Sequence, residues 1–158
     1  MSTPPDDGVP DGYFAILDPA DPAVMTYWRV TAGRVTPWPR KAWWGPARPL
    51  KRDAPAGMEE RIAWMRSWQT AYRAWAATVH QLLAADPGPA RRRFAELTTR
   101  CCDCGRVLHD ETSKTLGIGP DCRDGISPAA LAALFAPAVS AAHAAQADTP
   151  VTRTESSR

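Results

Sequence analysis

The residues of this chain best suited to chemistry are its cysteines, all of which fall between positions 101 and 122. Cys101 and Cys104 have the Cys-x-x-Cys spacing at which one tight turn can direct two thiolates at the same ion, and Gly105 supplies the permissive backbone that such a turn needs. Cys122 follows a glycine- and proline-containing turn and can bring a third thiolate to that ion. We therefore predict a structural Zn²⁺ site formed by Cys101, Cys104 and Cys122.

Three thiolates leave one position of a tetrahedral zinc ion to be filled. His109 is the first candidate, because imidazole is a common zinc ligand and this residue follows the Cys-x-x-Cys turn closely. Asp121, Asp124, Cys102 and water are the alternatives. A redox role is disfavoured because no βαβ pattern surrounds the turn, and the adjacent pair Cys101 and Cys102 makes a poor thiolate count for an iron–sulfur cluster.

The elements that must position these residues begin with short β-rich runs. Residues 12–17 and 24–30 are rich in β-branched and aromatic side chains and are separated by Asp- and Pro-containing turn chemistry, so they predict a β-hairpin. Residues 33–36 add a third strand, which Pro37 keeps short or at an edge.

A long amphipathic helix is predicted over residues 58–84. Its apolar residues recur at alternating spacings of three and four, which is the period of one helix face. This stripe consists of Ile62, Met65, Trp68, Tyr72, Trp75, Val79 and Leu82. Two prolines around Gly88 end the helix.

Shorter helices are predicted on either side of the cysteines. Residues 90–97 form a helix that leads into the metal module and carries three arginines on its exposed side: Arg91, Arg92 and Arg93. Ser127, followed by a proline, is a helix start, and it begins an Ala-rich helix over residues 127–146.

We therefore predict an α+β fold with a small N-terminal β-hairpin or three-stranded sheet, a long amphipathic helix, and a C-terminal zinc knuckle similar to a reduced treble clef. The first residues are polar and Pro-rich with almost nothing to bury, which predicts disorder. The segments are a disordered leader (1–11), a β-rich part with a basic connection (12–57), a helical region (58–97), the zinc-knuckle module (98–125), the Ala-rich helix (127–146) and a disordered tail (147–158).

The cysteine segment also resembles a known family. The pattern Cys101-x-x-Cys104-Gly-Arg-x-Leu, followed by an acidic residue, a serine and Gly-x-Gly-Pro-x-Cys122, looks like the C-terminal signature of a domain-of-unknown-function family common in actinobacteria and their phages. With a similar strand-rich start, the resemblance covers about residues 12–36 and 94–125. It implies Cys101, Cys104 and Cys122 as the invariant thiols and leaves the biochemical function open. The turn-shaping residues that it implies are Gly117, Gly119 and Pro120.

One segment is both basic and rich in tryptophan. Residues 23–52 contain no acidic residue, although the formal net charge of the chain is only +2. Tryptophan can stack on bases while arginine neutralises phosphates, which suits single-stranded nucleic acid. The candidate binding residues for nucleic acid or another partner are Trp38, Arg40, Lys41, Trp43, Trp44, Arg91, Arg92 and Arg93.

Two functions follow from these patterns. The first is a protein-interaction adaptor that docks an unidentified protein partner through the aromatic-rich helix or the knuckle. The second is binding of single-stranded DNA or RNA through the arginine- and tryptophan-rich segment 28–52. Enzymatic activity is not expected, because the residues around the cysteines lack a deaminase-type His-x-Glu upstream of the Cys-x-x-Cys. We see no signal peptide or membrane span, and we expect a cytoplasmic protein.

Overall fold

An antiparallel sheet forms the middle of the fold. The computed structural model of the chain describes residues 8–127 and 129–131. Strands β1 (Gly12–Leu17), β2 (Met25–Thr31) and β3 (Arg34–Pro37) lie in the order β1-β2-β3. The predicted α+β class with a small three-stranded sheet is confirmed.

Two turns join the strands. Ala32 and Gly33 both have positive φ values, 49° and 72°, and a two-residue loop of this conformation matches the twist of strands β2 and β3. In the β1–β2 loop, Oδ1 of Asp18 accepts the N–H of Ala20 at 2.8 Å. The same oxygen accepts the indole N–H of Trp75 at 3.0 Å. Asp18 therefore stabilises the β1–β2 turn and links it to the long helix that contains Trp75.

Both faces of the sheet are apolar, because successive side chains of a strand point to opposite faces. Phe14 lies opposite Trp28 and Ala15 lies opposite Tyr27 in the β1–β2 register. The first face packs into one core cluster with Val79, and the second packs into another cluster with the knuckle cysteines. The sheet is thus the central layer of three.

The long helix α1 (Met58–Ala85) covers the first face. Trp75, Val79 and Leu83 are its buried residues, and the rings of Trp75 and Trp28 lie 5.7 Å apart. The predicted stripe is covered only in the second half of the helix. Ile62 is 52% exposed, and Leu82 is exposed while its neighbour Leu83 is buried.

Length explains why the stripe is only partly covered. A helix of 28 residues spans about 42 Å, whereas a six-residue strand such as β1 spans about 20 Å. The sheet therefore cannot reach the first turns of α1. Tyr72 lies at the edge of the covered part, partly buried against the core.

Helix α2 (Pro87–Thr98) covers the second face of the sheet with Phe94 and Ala95. It begins three residues before the predicted start, because prolines are accepted in a first helical turn. The prediction that its three arginines are exposed is wrong, since all three are half-buried. They are Arg91, Arg92 and Arg93.

Two short helices follow in the cysteine module. Helix α3 (Glu111–Leu116) has no counterpart among the predicted elements, whereas helix α4 (Pro120–Arg123) begins at the predicted proline. Leu108 and Ile118 from this module are buried in the same core cluster as Phe94. The knuckle is therefore packed onto the sheet and α2 through an apolar core.

The predicted terminal segments lie mostly outside the described residues, which exclude 1–7, 128 and 132–158. Val9, within the predicted leader, is 5% exposed and belongs to the core cluster of α1. Ser127 does begin a helical turn, with its Oγ accepting the N–H of Ala130 at 3.2 Å. Most of the predicted helix over 127–146 and the tail over 147–158 lie beyond the described part.

Candidate metal centre

A short antiparallel knuckle carries Cys101 and Cys104. The N–H of Cys101 donates to the carbonyl of Arg106 at 2.8 Å, and the N–H of Gly105 donates to the carbonyl of Cys101 at 2.9 Å. Gly105 has a φ of 76°, and a Cβ atom there would lie 2.7 Å from Cζ of Tyr13. Glycine is therefore required both for the turn and for its close approach to β1.

A second local structure brings Cys122 back to the knuckle. Oδ1 of Asp110 caps α3 by accepting the N–H of Ser113 at 2.8 Å. Gly117 ends α3 with a φ of 72°, and its carbonyl accepts the N–H of Cys102 at 3.0 Å. Helix α4 then begins, and Cys122 lies in its first turn.

The three predicted thiols converge. The Sγ atoms of Cys101, Cys104 and Cys122 all lie within 4.8 Å of one another. Tetrahedral zinc with Zn–S bonds of about 2.3 Å needs sulfur separations of about 3.8 Å, so small side-chain adjustments bring them to bonding distance. Cys101 is buried, Cys122 is half-buried and Cys104 is exposed. This cluster can bind a metal ion.

Backbone donors favour the thiolate form of Cys101. Burial of this thiol would raise its pKa, but hydrogen bonds from the backbone N–H groups of Cys104, Gly119 and Asp103 outweigh that effect and lower the pKa. The N–H of Gly119 lies 3.3 Å from the sulfur and that of Asp103 lies 3.4 Å from it. Such donors stabilise a metal-bound thiolate from outside the coordination sphere.

Cys122 has the opposite tendency. Burial raises its pKa, and so do its hydrogen bond with Cys104 and the negative charge of Cys101. Thiolates crowded into one site repel one another unless a cation lies between them. A positive ion between the sulfur atoms would offset this repulsion and allow all three thiols to ionise.

Cys102 belongs to the core and lies outside the thiol cluster. Burial raises the pKa of its thiol to about 11. Its backbone carbonyl accepts the N–H of Tyr13 at 2.8 Å. Next to it, Arg91 pairs with Asp103 at 2.9 Å, which joins α2 to the knuckle.

His109 and Asp121 line the cavity of about 170 Å³ that the three thiols also line. His109 is exposed, and its ring nitrogens are not part of the group in which all ligand atoms lie within 4.8 Å. Asp121 is exposed as well and lies 3.4 Å from Arg106. The role of His109 as fourth ligand remains a prediction.

The three candidate tryptophans of the basic segment are half-buried and contact other parts of the protein. The rings of Trp38 and Phe94 pack in a T-shaped arrangement with centres 5.1 Å apart. Trp43 stacks with Tyr72 at 5.6 Å. The indole N–H of Trp44 donates to the carbonyl of Tyr27 at 3.0 Å. These contacts occupy part of each ring within the protein, which leaves less ring surface for base stacking.

The predicted cationic residues separate into two groups. Arg40 and Lys41 are exposed. Nη1 of Arg93 donates to the carbonyl of Ala15 at 3.1 Å, and Arg92 lies 3.7 Å from Glu96. The arginines of α2, including Arg91 with its partner Asp103, thus bind within the protein.

Asp110 is a helix-capping position that sequence reasoning missed, and it acts together with Ser113. The Ser113 hydroxyl lies beside the Asp110 carboxylate without the geometry of a regular hydrogen bond, yet its proximity and the Ser113 N–H lower the pKa of Asp110. An aspartate is a common helix N-cap, and a glycine seven positions later, at Gly117, is a common helix C-cap. That signal predicts α3, which directs the chain back toward the thiols.

Comparison with known proteins gives one result. Residues 91–127 match a family of unknown function, DUF6011. This segment runs from α2 through α4 and includes all of the clustered thiols. No curated protein and no solved structure matches the chain. In the part of the chain that the structure describes, no helix combines the length and apolarity that a membrane span needs.

Proposed function

We propose that Cys101, Cys104 and Cys122 bind one structural Zn²⁺, with His109 as the fourth ligand. The convergence of the three sulfur atoms within 4.8 Å of one another is the observation that carries this proposal. Thiolate donors favour zinc over the hard cations, and the N–H donors to Cys101 suit a bound thiolate. A zinc ion there joins the knuckle to α4 and so stabilises the fold.

X-ray absorption at the zinc edge tests this ligand set. The zinc-loaded protein is expected to show three sulfur neighbours at about 2.3 Å and one nitrogen neighbour at about 2.0 Å with imidazole scattering. The imidazole signal should disappear in His109→Ala and persist in His80→Ala, a matched control because His80 lies on α1. An unchanged spectrum in His109→Ala would remove His109 from the site and leave an aspartate or water as fourth ligand.

We also propose that the protein is a non-catalytic adaptor of a bacterial or phage-encoded cytoplasmic system, which binds another protein. Support comes from the first turns of α1, where large apolar side chains are left uncovered: Met58 is 78% exposed and Ile62 is 52% exposed. Soluble domains use such uncovered apolar residues at interaction sites.

Affinity capture from an actinobacterial lysate, with and without nuclease, tests the adaptor role. Protein partners that remain bound after nuclease treatment and are lost with Met58→Ser/Ile62→Ser are the expected result. Capture that disappears with nuclease would replace the adaptor by a nucleic-acid-binding function.

Binding of single-stranded nucleic acid is the alternative, and the exposed cations of residues 23–52 support it. Affinity for a labelled oligo(dT) would then fall steeply with salt and with Arg40→Ala/Lys41→Ala. The engaged tryptophan faces weigh against this alternative, because base stacking contributes much of single-strand affinity. Oligonucleotide binding that ignores salt and both substitutions would exclude it.

A further inference from the structure

The uncovered end of α1 is bordered by one segment of the chain. Residues 45–57 run beside the helix in the opposite direction: Gly45 lies against Trp75, and the indole N–H of Trp68 donates to the carbonyl of Ala47 at 2.8 Å. Nε of Arg61 donates to the carbonyl of Pro55 at 3.2 Å. We name this segment, residues 45–57, the strap.

The strap leaves one apolar strip open. Met58 and Ile62 are one helical turn apart and therefore lie on the same side of α1. Met65, on the next turn, is half-buried and extends the strip by one turn. Aliphatic side chains dominate this strip, whereas the nearby aromatic rings of Trp68 and Tyr72 are stacked on each other and on Trp43.

Positive charge predominates around this strip, although Glu59 and Glu60 lie in the same helical turn as Met58. Between positions 24 and 85 the chain has ten arginine and lysine residues, all exposed, and only three acidic residues. Among the described residues, the ion pair between Arg52 and Asp53, at 3.8 Å, is the single one formed by these ten cations. Arg61 and Arg66 follow Met58 and Ile62 by three and four positions, so they lie beside them on the helix.

We propose that this surface docks an acidic amphipathic segment of the protein partner. Aliphatic side chains of that segment cover Met58 and Ile62, and its carboxylates face Arg61 and Arg66. This inference rests on the proposed adaptor function and names the partner's chemistry. An amphipathic helix in an apolar groove is a common recognition mode, and opposite charge at the rim sets its orientation and association rate.

Selection from a random peptide display library on the zinc-loaded full-length chain tests this proposal. Enriched peptides are expected to be acidic, with aliphatic residues at helical spacing. A synthetic copy of the most enriched peptide should bind the wild-type chain at least about tenfold more tightly than Met58→Ser/Ile62→Ser, since hot-spot side chains each contribute more than about 1 kcal/mol. Arg61→Ala/Arg66→Ala should weaken binding and reduce its salt dependence.

Leu82→Ser is the matched control, because Leu82 is also an exposed apolar residue of α1 but lies near its other end. Equal losses with Leu82→Ser and Met58→Ser/Ile62→Ser would overturn the site. Enriched peptides that are basic or lack aliphatic spacing would overturn the partner chemistry while leaving the adaptor function standing. Absence of any enriched peptide, together with salt-sensitive oligo(dT) binding, would contradict both the inference and the adaptor function.

Discussion

At the scale of single residues, two adjacent cysteines have different environments. The sulfur of Cys101 accepts backbone N–H groups in the thiol cluster, while Cys102 is buried in the apolar core. Both residues are buried in the same core cluster, but only Cys101 belongs to the thiol cluster that we propose as a metal site.

Substitution separates these two roles. Cys101→Ser is expected to lose zinc and leave the chain unfolded at 25 °C, because structural zinc contributes about 10–16 kcal/mol, against a total stability of about 5–15 kcal/mol. Cys102→Ala should keep full zinc content and lose only about 1 kcal/mol to a small cavity. Zinc analysis and urea unfolding measure both outcomes. Equal zinc loss in the two variants would assign both thiols to the metal.

Gly117 is constrained by conformation and by space. Its φ is 72°, and a Cβ atom there would lie 2.8 Å from Cβ of Ala95. Gly117→Ala should cost about 1–2 kcal/mol for the left-handed backbone and further free energy for the overlap. Gly33→Ala isolates the first cost, because Gly33 has the same φ with no atom within 4 Å. Similar unfolding free energies for the two variants would show that α2 and the end of α3 move apart at little cost and relieve the overlap with Ala95.

At the scale of elements, α3 depends on the Asp110 cap. Hydrogen bonding to Ser113 lowers the pKa of Asp110, so the carboxylate stabilises the folded state above its ordinary pKa, and this contribution is lost as the pH falls through the folded pKa. Asp110→Ala should therefore be less stable than wild type near neutral pH, with the difference shrinking below about pH 4.

Asp110→Asn is the control for this cap, because an amide oxygen caps helices without a charge. It should keep most of the stability and show little of the pH dependence. All of these proteins share the same cysteines, so loss of zinc in acid affects each of them and cancels in the comparison. A stability difference between wild type and Asp110→Ala that stays constant from neutral pH into acid would contradict the carboxylate cap.

Helix α1 provides a second test through two neighbouring leucines. Leu83→Ala should lower the unfolding free energy by about 2–5 kcal/mol, because Leu83 is fully buried in the core between α1 and the sheet. Leu82→Ala should change stability by less than about 0.5 kcal/mol, since that side chain is exposed. Thermal unfolding of both variants measures the difference. The reverse order of stabilities would show that α1 is rotated about its axis relative to the sheet.

Several elements of this fold can be predicted from local sequence patterns. The Cys-x-x-Cys turn, the three-four periodicity of α1 and the proline start of α4 depend on near neighbours, so the sequence predicts them. Exposure of Ile62 and half-burial of Arg93 could not be predicted in this way, because they depend on how far the sheet extends and on where α2 rests. Those lengths and contacts are set by tertiary packing.

At the scale of the whole molecule, the knuckle is continuous with the sheet. The N–H of Tyr13 in β1 donates to the carbonyl of Cys102, and Ala15 shares a core cluster with Cys101 and Phe94. Loss of the proposed zinc ion is therefore expected to remove support from β1 and α2 together. The segment that matches DUF6011, residues 91–127, is packed against strands that lie outside it.

Native mass spectrometry of the reduced, freshly purified full-length chain tests the central claim most directly. One zinc ion per chain is expected, with a narrow distribution of low charge states that changes in a single step to the high charge states of an unfolded chain when a chelator removes the metal. A chain that carries no zinc, or that keeps its compact charge states after zinc removal, would contradict a structural metal centre at Cys101, Cys104 and Cys122.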